Sequence, residues 1–494
     1  MGGSDERKYE EAFWALALLL LAFHLVYIGI TPYDLAPDEA YYWLWSKRLS
    51  WGYYSKPPLV AWLIRLSTSL GGDTPFFVRL GAPIFSFISS LALFYFAKGL
   101  FGPRVGFWAF LLSNLTAASP VGAMIMTIDA PLIAFWGLTF LFLLPALRGK
   151  GAFWYLSGIC LGLGLLSKYA AVALVPSLFF YLTTSKKERR WLRRREPYLW
   201  AGLGFLLLLP NLIWNHLHGW ITFHHTSSLV EGRSFNPVTF FEFIGTQFGL
   251  MTPLIFLLIA YGIIQGVRKG IKGGDNRYLL PFWGTAPLLG FFILLSFFSP
   301  CYANWAAPSY LTGFVLAAAS VIEAPWTERR KRGWLLSAAI LGGVICFFVY
   351  NMDLLRRFPV PQKELPSSRL MGWRKLGEEV GRIIEAEGGD LFVITQDRRF
   401  SSELAFYTPG HPRAYLLNLF PYPISQFDLW GGLEREKGKD AVFVTKQGRG
   451  PPSLLVHSFE ACHRKGDVEI RYRGKFIKGY SLYLCRRFKG LPHR

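Results

Sequence analysis

Three carboxylates in the first third of the sequence stand at positions where acid–base chemistry is possible. Asp38 and Glu39 are adjacent in PDEAYYW, shortly after a long apolar run, and Asp129 lies in TIDAPLIAFW, just before a proline. A carboxylate near hydrocarbon costs about 2.5 to 3.5 kcal/mol at mid-bilayer and less near the interface, so it needs a partner or a function. One such function is general-base catalysis, in which the carboxylate accepts the proton of an attacking hydroxyl. For Asp38 and Asp129 the alternative is a helix N-cap.

The segment of residues 31–75 must position Asp38 and Glu39. Its stretch DEAYYWLWSKRL predicts a short helix with Asp38 at or near the N-cap, and PPLVAWLIRLSTSL predicts a second helix that begins at its prolines and lies along the membrane interface. A connection this long between membrane spans is commonly functional. An aromatic interfacial belt is the alternative interpretation.

The composition indicates a polytopic α-helical membrane protein. The 494 residues are 52% hydrophobic and 17% charged, which is too apolar for an ordinary soluble protein of this length. A bilayer core needs about twenty apolar residues per helix, and we predict about 11 to 13 transmembrane helices. Eleven candidate spans cover residues 12–30, 80–99, 105–122, 128–147, 152–167, 169–184, 199–214, 243–266, 279–298, 303–322 and 334–350.

The lysines and arginines predict the orientation of these spans. If the N-terminus is cytoplasmic, most basic residues of the membrane region fall in cytoplasmic loops, including the cluster from Lys186 to Arg195, as the positive-inside rule requires. The loop of residues 31–75 and the chain after residue 351 then lie on the periplasmic face of a bacterial inner membrane. The same orientation puts Asp38, Glu39 and Asp129 on one side, where they could converge.

The last part of the sequence has the composition of a soluble domain. Residues 373–386 have a helical apolar spacing, LFVIT and AVFVT are typical of short buried strands, and VEIRYRGKFIKGYSLYLCRR predicts a terminal hairpin. We therefore predict a transmembrane catalytic domain of residues 1–351 and a small α/β periplasmic domain of residues 352–494. Cys462 and Cys485 could form a disulfide there if the domain faces an oxidising compartment, a point that the sequence leaves open.

The formal net charge of +21 does not indicate nucleic-acid binding. The sequence contains no basic helix with base-reading residues, no zinc-finger spacing and no RNA-binding aromatic motif. We expect the basic residues to fix the topology and to contact anionic membrane lipids instead.

Six segments carry a resemblance to a known family. In order, PDEAYYW, YYSKPPLVAW, TIDAPLIAFW, GLLSKYA, WITFHH and YANWAAPSYL resemble the membrane glycosyltransferases of the GT-C type. The sequence is most similar to the bacterial branch related to dolichyl-phosphate-mannose protein mannosyltransferases and to the lipid A aminoarabinose transferase. The resemblance covers about residues 12–350. It implies that the catalytic acidic residue is Asp38, with Glu39 beside it, and that Asp129 is the second family aspartate.

The resemblance and the chemistry of a leaving phosphate each indicate cations that could bind the phosphate of a sugar donor. Lys56 matches a lysine of the family's first-loop motif, and Lys168 and Arg233 are further candidates for stabilising a leaving phosphate. For Lys168 the alternative is a lysine that snorkels to the interface. The residue before the family lysine is a glutamate implicated in metal binding, whereas this chain has Ser55, which departs from the pattern of a metal site.

The remaining candidates are histidines and residues of a cavity rim. His224 and His225 could reach the phosphate or ligate a divalent cation together with a carboxylate, and paired surface histidines without a role are the alternative. No other cofactor is predicted. We expect four further residues at the rim of the cavity: Tyr42, Tyr54, Asn304 and Trp305.

Together these features imply an inverting glycosyltransferase that moves one hexosyl or pentosyl unit. The implied donor is a polyprenyl-phosphate-linked sugar, and the implied acceptor is lipid A or another part of lipopolysaccharide at the periplasmic face. A protein or other glycan acceptor, a transporter of lipid-linked sugars, and a transferase-like protein that only binds lipid are the alternatives. Transporters usually carry internal repeats and charged or broken helices near the midplane, and the sequence has neither feature.

Overall fold

The chain forms two compact units. The computed structural model describes residues 2–229, 234–357 and 365–491. The first unit comprises Met1–Gly29, Lys56–Val60 and Arg79–Tyr350, and the second comprises Ile30–Ser55, Ala61–Val78 and Asn351–Arg494.

Helices make up most of the chain as far as residue 355. They are α1 (Gly2–Ile30), α2 (Pro37–Lys47), α3 (Leu59–Gly71), α4 (Pro75–Arg79), α5 (Gly81–Phe101), α6 (Pro103–Asn114), α7 (Ala118–Met124), α8 (Asp129–Leu147), α9 (Ala152–Ser167), α10 (Leu174–Thr184), α11 (Glu196–Leu217), α12 (Ile221–Ser228), α13 (Pro237–Leu250), α14 (Pro253–Gln265), α15 (Asn276–Leu295), α16 (Ala307–Ile322), α17 (Glu328–Tyr350) and α18 (Met352–Leu355). Short 3₁₀ segments precede α10 (Tyr169–Ala173), α11 (Glu188–Arg193) and α16 (Ala303–Ala306), and a π turn (Gly266–Lys272) extends α14.

The prediction of a polytopic membrane protein is confirmed. In the described residues, 8 helices are long and apolar enough to cross a bilayer, or 9 if the bent pair α6 and α7 is one span. Leu59–Gly71, Ala152–Ser167 and Tyr169–Thr184 are apolar but shorter. We predicted that the first of these lies along the interface. The other two, added to the nine, give eleven segments, the number that the hydropathy of the sequence indicated.

Two predicted spans are broken. Helices α6 and α7 meet at an angle of 78°, next to Asn114, whose Nδ2 donates to the carbonyl of Phe110 in the preceding turn. The span predicted at residues 243–266 was wrong, because α13 ends at Leu250 and α14 begins at Pro253. Proline fits the first turn of a helix but not its interior, so Pro253 starts a new helix.

One glycine lets a helix approach the bend between α6 and α7. A Cβ atom on Gly342 of α17 would lie 2.2 Å from the carbonyl oxygen of Leu115. No larger residue would fit there without moving the backbone. The bend in turn forms part of the wall of a cavity next to Asp129.

The second unit contains a five-stranded sheet in the order β2-β1-β3-β5-β4. Its strands are β1 (Phe392–Thr395), β2 (Ala414–Leu416), β3 (Ala441–Lys446), β4 (Phe459–Tyr472) and β5 (Lys475–Phe488). Strand β1 is parallel to β2 and β3, whereas β5 is antiparallel to β3 and β4. The remaining helices of this unit are α19 (Trp373–Ala386), α20 (Arg398–Tyr407), α21 (Gln426–Trp430) and α22 (Ser453–His457). The predicted small α/β domain is therefore confirmed.

The segment before α3 is part of the fold of the second unit. Helix α2 packs on α20, with Trp43 in edge contact with Phe406 at a centroid distance of 4.9 Å. The buried Asp34 carboxylate accepts the backbone N–H of Trp373 at 2.8 Å. Further along, the hydroxyl of Tyr41 accepts the N–H of Gln426 at 2.6 Å. Residues 30–55 are thus fixed by helices that are encoded more than 300 residues later.

Cys462 and Cys485 form a disulfide. They are direct partners across the antiparallel pair β4 and β5. The sequence left this pairing open. The bond joins the edge strand to its neighbour, and Cys485 is fully buried in the apolar core on that face of the sheet.

Candidate functional site

Asp38 lies in the first turn of α2 with its side chain exposed. The N-cap of α2 is Ala36, and Asp38 makes no capping bond, so the alternative that Asp38 serves as an N-cap is wrong. Instead, Nη1 and Nη2 of Arg398 donate to Oδ1 of Asp38, each at 3.1 Å. The side chain of Asp38 is 55% exposed, and its Oδ2 has no hydrogen-bond partner in the described part of the chain. One oxygen is thus held and the other is open to a substrate.

Arg398 is fixed from two further directions. It is the first residue of α20, and its guanidinium carbon lies 4.4 Å from the centre of the Tyr41 ring, within the range of a cation–π contact. Burial lowers the pKa of Arg398, but attraction to Asp38, Tyr41 and Tyr42 exceeds that effect and the pKa is raised overall. The guanidinium therefore stays charged and keeps the Asp38 carboxylate oriented.

Glu39 performs the capping that was considered for Asp38. It is fully buried, and its Oε2 accepts the backbone N–H of Ala36 at 2.8 Å. This bond satisfies one of the amide groups that a helix start leaves without an intrahelical partner. The geometry favours a structural role for Glu39 and leaves Asp38 as the carboxylate that a substrate can reach.

Asp129 is the centre of a second polar cluster, which lies in the first unit. It begins α8, whereas Lys168 directly follows α9 and Asn304 precedes α16, so all three side chains meet at one end of the helices. Lys168 Nζ is 2.8 Å from Oδ1 of Asp129, and Asn304 Nδ2 donates to Oδ2 at 2.6 Å. Both oxygens of Asp129 are therefore engaged. The side chains of Lys168 and Asp129 are only 14% and 16% exposed, so this ion pair is much less accessible than Asp38.

A cavity of about 140 Å³ opens next to Asp129. Small hydroxyl and amide side chains of α5, α6 and the bend, among them Ser86, Ser90 and Asn114, form one wall, and Tyr310 of α16 forms another. Tyr310 is 1% exposed, and its hydroxyl has no hydrogen-bond partner among the described residues. Buried polar groups are nearly always paired, so the hydroxyl of Tyr310 is available to a polar group that enters the cavity.

The other candidates from the sequence are distributed over both units. Lys56 is half-buried in the turn before α3, and Trp305 is half-buried in the 3₁₀ segment before α16. Tyr42 and Tyr54 are buried in the second unit, where Tyr54 donates its N–H to Gln426 at 2.7 Å. Arg233 lies outside the described residues. Because Asp38 and Asp129 belong to different units, their convergence in one cavity stays a prediction.

The described residues provide no ready metal site. His224 and His225 lie side by side in α12, but no group of three or more His, Cys, Asp and Glu side chains in the described ranges is placed to hold a metal ion. A stable site for a divalent cation normally needs at least three protein ligands unless water or substrate supplies the rest. Among the described residues no set of side chains therefore forms a metal site by itself, and we assign no chemical step to a metal.

Two residues of these sites were absent from the candidates derived from the sequence. Arg398 lies in QDRRF among many other arginines, and nothing in the sequence connects it with Asp38. Tyr310 lies in YANWAAPSYL, a segment that was recognised, but its unpaired hydroxyl becomes visible only when the neighbouring helices are in place.

Comparisons with known proteins agree with this fold. Residues 55–214 match the family model described as dolichyl-phosphate-mannose-protein mannosyltransferase. The chain is 28% identical to the lipid A galacturonosyltransferase RgtD of Rhizobium johnstonii, over 94% of this chain and 97% of that protein. It is 25% identical to the undecaprenyl phosphate-alpha-4-amino-4-deoxy-L-arabinose arabinosyl transferase of Aeromonas hydrophila, over 68% of this chain and 65% of that protein.

Solved structures of similar fold include two of ArnT from Cupriavidus metallidurans. ArnT from Cupriavidus metallidurans in the apo state superposes with a TM-score of 0.65 at 13% identity, over 96% of this chain and 98% of that one. The structure of the same enzyme bound to undecaprenyl phosphate gives a TM-score of 0.64 at 15% identity, with the same coverage. These solved structures confirm the predicted fold. The family model and the sequence relatives confirm the predicted resemblance and the predicted class of enzyme, a glycosyltransferase. The chain is a multi-pass membrane protein with the GT-C fold.

Proposed function

We propose that this protein transfers a single sugar from a polyprenyl-phosphate carrier to lipid A or another part of lipopolysaccharide, at the periplasmic face of the inner membrane. The observation that carries the proposal is the Asp38 carboxylate, one oxygen of which is bound by Arg398 while the other is open. The similarity to a lipid A galacturonosyltransferase along 94% of the chain supports lipid A as the acceptor. It also makes a uronic acid the first donor sugar to test.

The reaction is a single displacement with inversion. A hydroxyl oxygen of the acceptor attacks the anomeric carbon of the donor while Asp38 accepts the hydroxyl proton. The bond between the anomeric carbon and the phosphate oxygen breaks, and polyprenyl phosphate leaves with the bonding electron pair. Lys56 is our candidate for stabilising the charge that develops on the leaving phosphate. Arg233, which lies outside the described residues, is a second candidate.

The Asp129 cluster has the chemistry of a donor site. A phosphate that enters beside Lys168 would compete with Asp129 for the ammonium group, and the Tyr310 hydroxyl and the small polar residues of the cavity can donate to it. In this proposal Asp129, which accepts a hydrogen bond from Asn304, holds Lys168 in place. The proposal requires Asp38 and Asp129 to face the same substrate.

Two features support the periplasmic orientation. The basic residues of the membrane region fall mainly in the loops that this orientation makes cytoplasmic. The disulfide between Cys462 and Cys485 is compatible with the oxidising periplasm and would be rare in the cytoplasm.

Labelling intact cells with a membrane-impermeant maleimide, after a mild reductant that does not enter the cytoplasm, tests the orientation. Cys462, the half-buried partner in this disulfide, should react in intact cells, and its failure to react until the cells are lysed would contradict the periplasmic orientation.

Mass spectrometry of the cell envelope tests the function. Lipid A from cells with the gene should carry one additional sugar that is absent from a deletion strain, and a gene for the Asp38→Asn variant should not restore it. The carboxylate-to-amide change keeps the shape but removes the base, so the rate should fall by about 10² to 10⁴. If lipid A is unchanged while a protein or another glycan loses a sugar, the acceptor is different. If no glycan changes and lipid-linked sugar accumulates on one side of the membrane, the protein is a transporter.

A further inference from the structure

A second pocket, distinct from the Asp38 and Asp129 clusters, lies within the second unit. It has a volume of about 310 Å³, which falls in the range of small-molecule sites. One wall comes from α2 and the residues that follow it, including Trp43, Lys47 and Arg48. The opposite wall comes from the loop after α20, from β2 and from the end of α21, including Arg413 and Trp430. No residue of this pocket was among the candidates from the sequence.

Cationic side chains outnumber carboxylates in the lining of this pocket. Three cations, Lys47, Arg48 and Arg413, and one carboxylate, that of Asp73, line the pocket. Lys47 and Trp43 Nε1 both bind Asp73, the latter at 2.8 Å. Arg413 Nη1 is 2.7 Å from the buried carboxylate of Glu436.

Arg48 differs from the other two cations. Its guanidinium carbon lies 4.8 Å from the centre of the Trp430 ring, and it has no carboxylate partner in the part of the chain that the structure describes. The residue is exposed. Arg48 therefore has N–H donors and a full positive charge available to a ligand, and Trp430 holds it at the pocket.

Aromatic side chains complete the site. Besides Trp430, the pocket is lined by the buried Trp43 and by Phe427 and Tyr415. The C–H face of a sugar ring packs on an aromatic ring, whereas its hydroxyls need acceptors and donors such as Asp73 and His411. His411 is oriented for this, because its Nδ1 is 3.2 Å from the carbonyl of Ala405. Cations and aromatic rings in one pocket suit a sugar that carries a phosphate or a carboxylate.

We propose that this pocket binds an anionic sugar of the acceptor and thereby docks the acceptor on the unit that carries Asp38. The proposal rests on the proposed function in one respect, because it takes the ligand to be the acceptor of the transfer reaction. Arg48 binds the anionic group, Trp430 packs against the sugar ring, and neither residue touches the reacting atoms. Loss of this contact should weaken acceptor binding without slowing the chemical step.

Binding of the acceptor to the full-length protein in nanodiscs, without any donor, tests the proposal. Diphosphoryl lipid A, the same lipid after phosphatase treatment, and inorganic phosphate are the three probes, with tryptophan fluorescence as the readout. Wild-type protein should bind the diphosphoryl form at least tenfold more tightly than the dephosphorylated form, and phosphate alone should bind weakly. Arg48→Gln should abolish this preference, and Trp430→Ala should weaken binding of both lipids.

Arg382→Gln is the matched control. Arg382 is an exposed arginine of α19 in the same unit, and it pairs with Glu379. It should bind all probes as the wild type does. Equal affinity of wild type and Arg48→Gln for the diphosphoryl form would overturn the proposal, as would tight binding of phosphate alone, which would indicate a simple anion site. In a transfer assay, Arg48→Gln should raise KM for the acceptor about tenfold and leave kcat unchanged. Because binding is measured without transfer, an inactive protein with intact binding would overturn the proposed function and not the pocket.

Discussion

The two terminal nitrogens of Arg398 converge on a single oxygen of Asp38, although the two residues are 360 positions apart in the sequence. The contact orients the carboxylate and leaves its second oxygen open. Arg398→Gln should therefore reduce kcat by about 100-fold, the scale expected when a reacting group is displaced by about 1 Å. KM for the donor should change little. Arg398→Lys should recover part of the rate, because a lysine keeps the positive charge but cannot direct two nitrogens at one carboxylate oxygen.

Arg399→Gln is the control for that experiment. Arg399 is the next residue of α20 and pairs with Asp397 at 2.6 Å, and its guanidinium makes no hydrogen bond to Asp38 in the described part of the chain. A loss of kcat as large in Arg399→Gln as in Arg398→Gln would mean that both substitutions act by disturbing α20.

Substitutions at adjacent carboxylates should separate catalysis from capping. Glu39→Gln keeps an oxygen that can accept the Ala36 N–H, so we expect transfer activity within about tenfold of the wild type. Glu39→Ala removes that acceptor, which should cost about 1 kcal/mol of stability through the lost cap. Asp38→Asn should instead lower the rate by about 10² to 10⁴ without lowering the melting temperature. Activity assays and thermal unfolding of the same detergent-solubilised samples distinguish these outcomes. A Glu39→Gln variant as inactive as Asp38→Asn would make Glu39 part of the catalytic machinery.

The ion pair between Asp129 and Lys168 should show strong coupling. Removing one partner of a mostly buried pair leaves an uncompensated charge and costs about 3 to 5 kcal/mol. Lys168→Met and Asp129→Asn should each lower the melting temperature, and the double variant should be more stable than the sum of the two effects predicts. A double-mutant cycle measures this coupling. Additive effects would show that the pair contributes little to the stability of the first unit.

Tyr310→Phe should affect the donor more than the fold. The Tyr310 hydroxyl is buried without a partner among the described residues, so its removal should leave the melting temperature unchanged or raise it slightly. If the hydroxyl donates to the donor phosphate, its loss should raise KM for the donor about tenfold, which corresponds to about 1.4 kcal/mol. An unchanged KM would mean that the donor does not reach this part of the cavity.

The second unit should become more stable as the pH rises above about 8. Burial lowers the pKa of Lys478 to about 8, against an ordinary value of 10.5, although Glu403 and Asp34 partly oppose this shift. Between these two values the unfolded chain binds more protons than the folded one, so the free energy of unfolding increases with pH. Thermal unfolding between pH 7 and pH 10 should show this trend in the wild type. Lys478→Met should lack it, and an equal slope in both proteins would assign the trend to other groups.

Elements with a clear local pattern could be predicted from the sequence. Helix α19 has the predicted bounds of residues 373–386, because its apolar residues recur at helical spacing and its polar residues cover the other face. The apolar runs of β1 and β3 were identified because each is short, uncharged and rich in branched residues. The break at residues 251–252 was missed, because hydropathy does not change there and only Pro253 marks it.

The candidate site could be predicted only in part. The sequence indicates Asp38 and Asp129 because carboxylates near a membrane are costly, but it cannot indicate which of Asp38 and Glu39 caps α2. A shift of two residues in the start of the helix decides that question, and helix boundaries are the least certain feature of a sequence. Arg398 could not be found, since no spacing relates residues from distant parts of a chain. The pocket around Arg48 was missed for the same reason.

The packing of residues 30–55 on the C-terminal helices has a consequence for biosynthesis. At about 5 to 20 residues per second, the ribosome needs about 20 to 70 s between making Asp38 and making Arg398. During that interval α2 has left the ribosome but its packing partner α20 does not yet exist, so Tyr41, Trp43 and Asp38 lack their final neighbours. A truncated chain that ends with the last membrane helix would lack the contact that orients Asp38. In the proposed mechanism, completion of the C-terminal domain is therefore the step that makes the chain competent for sugar transfer.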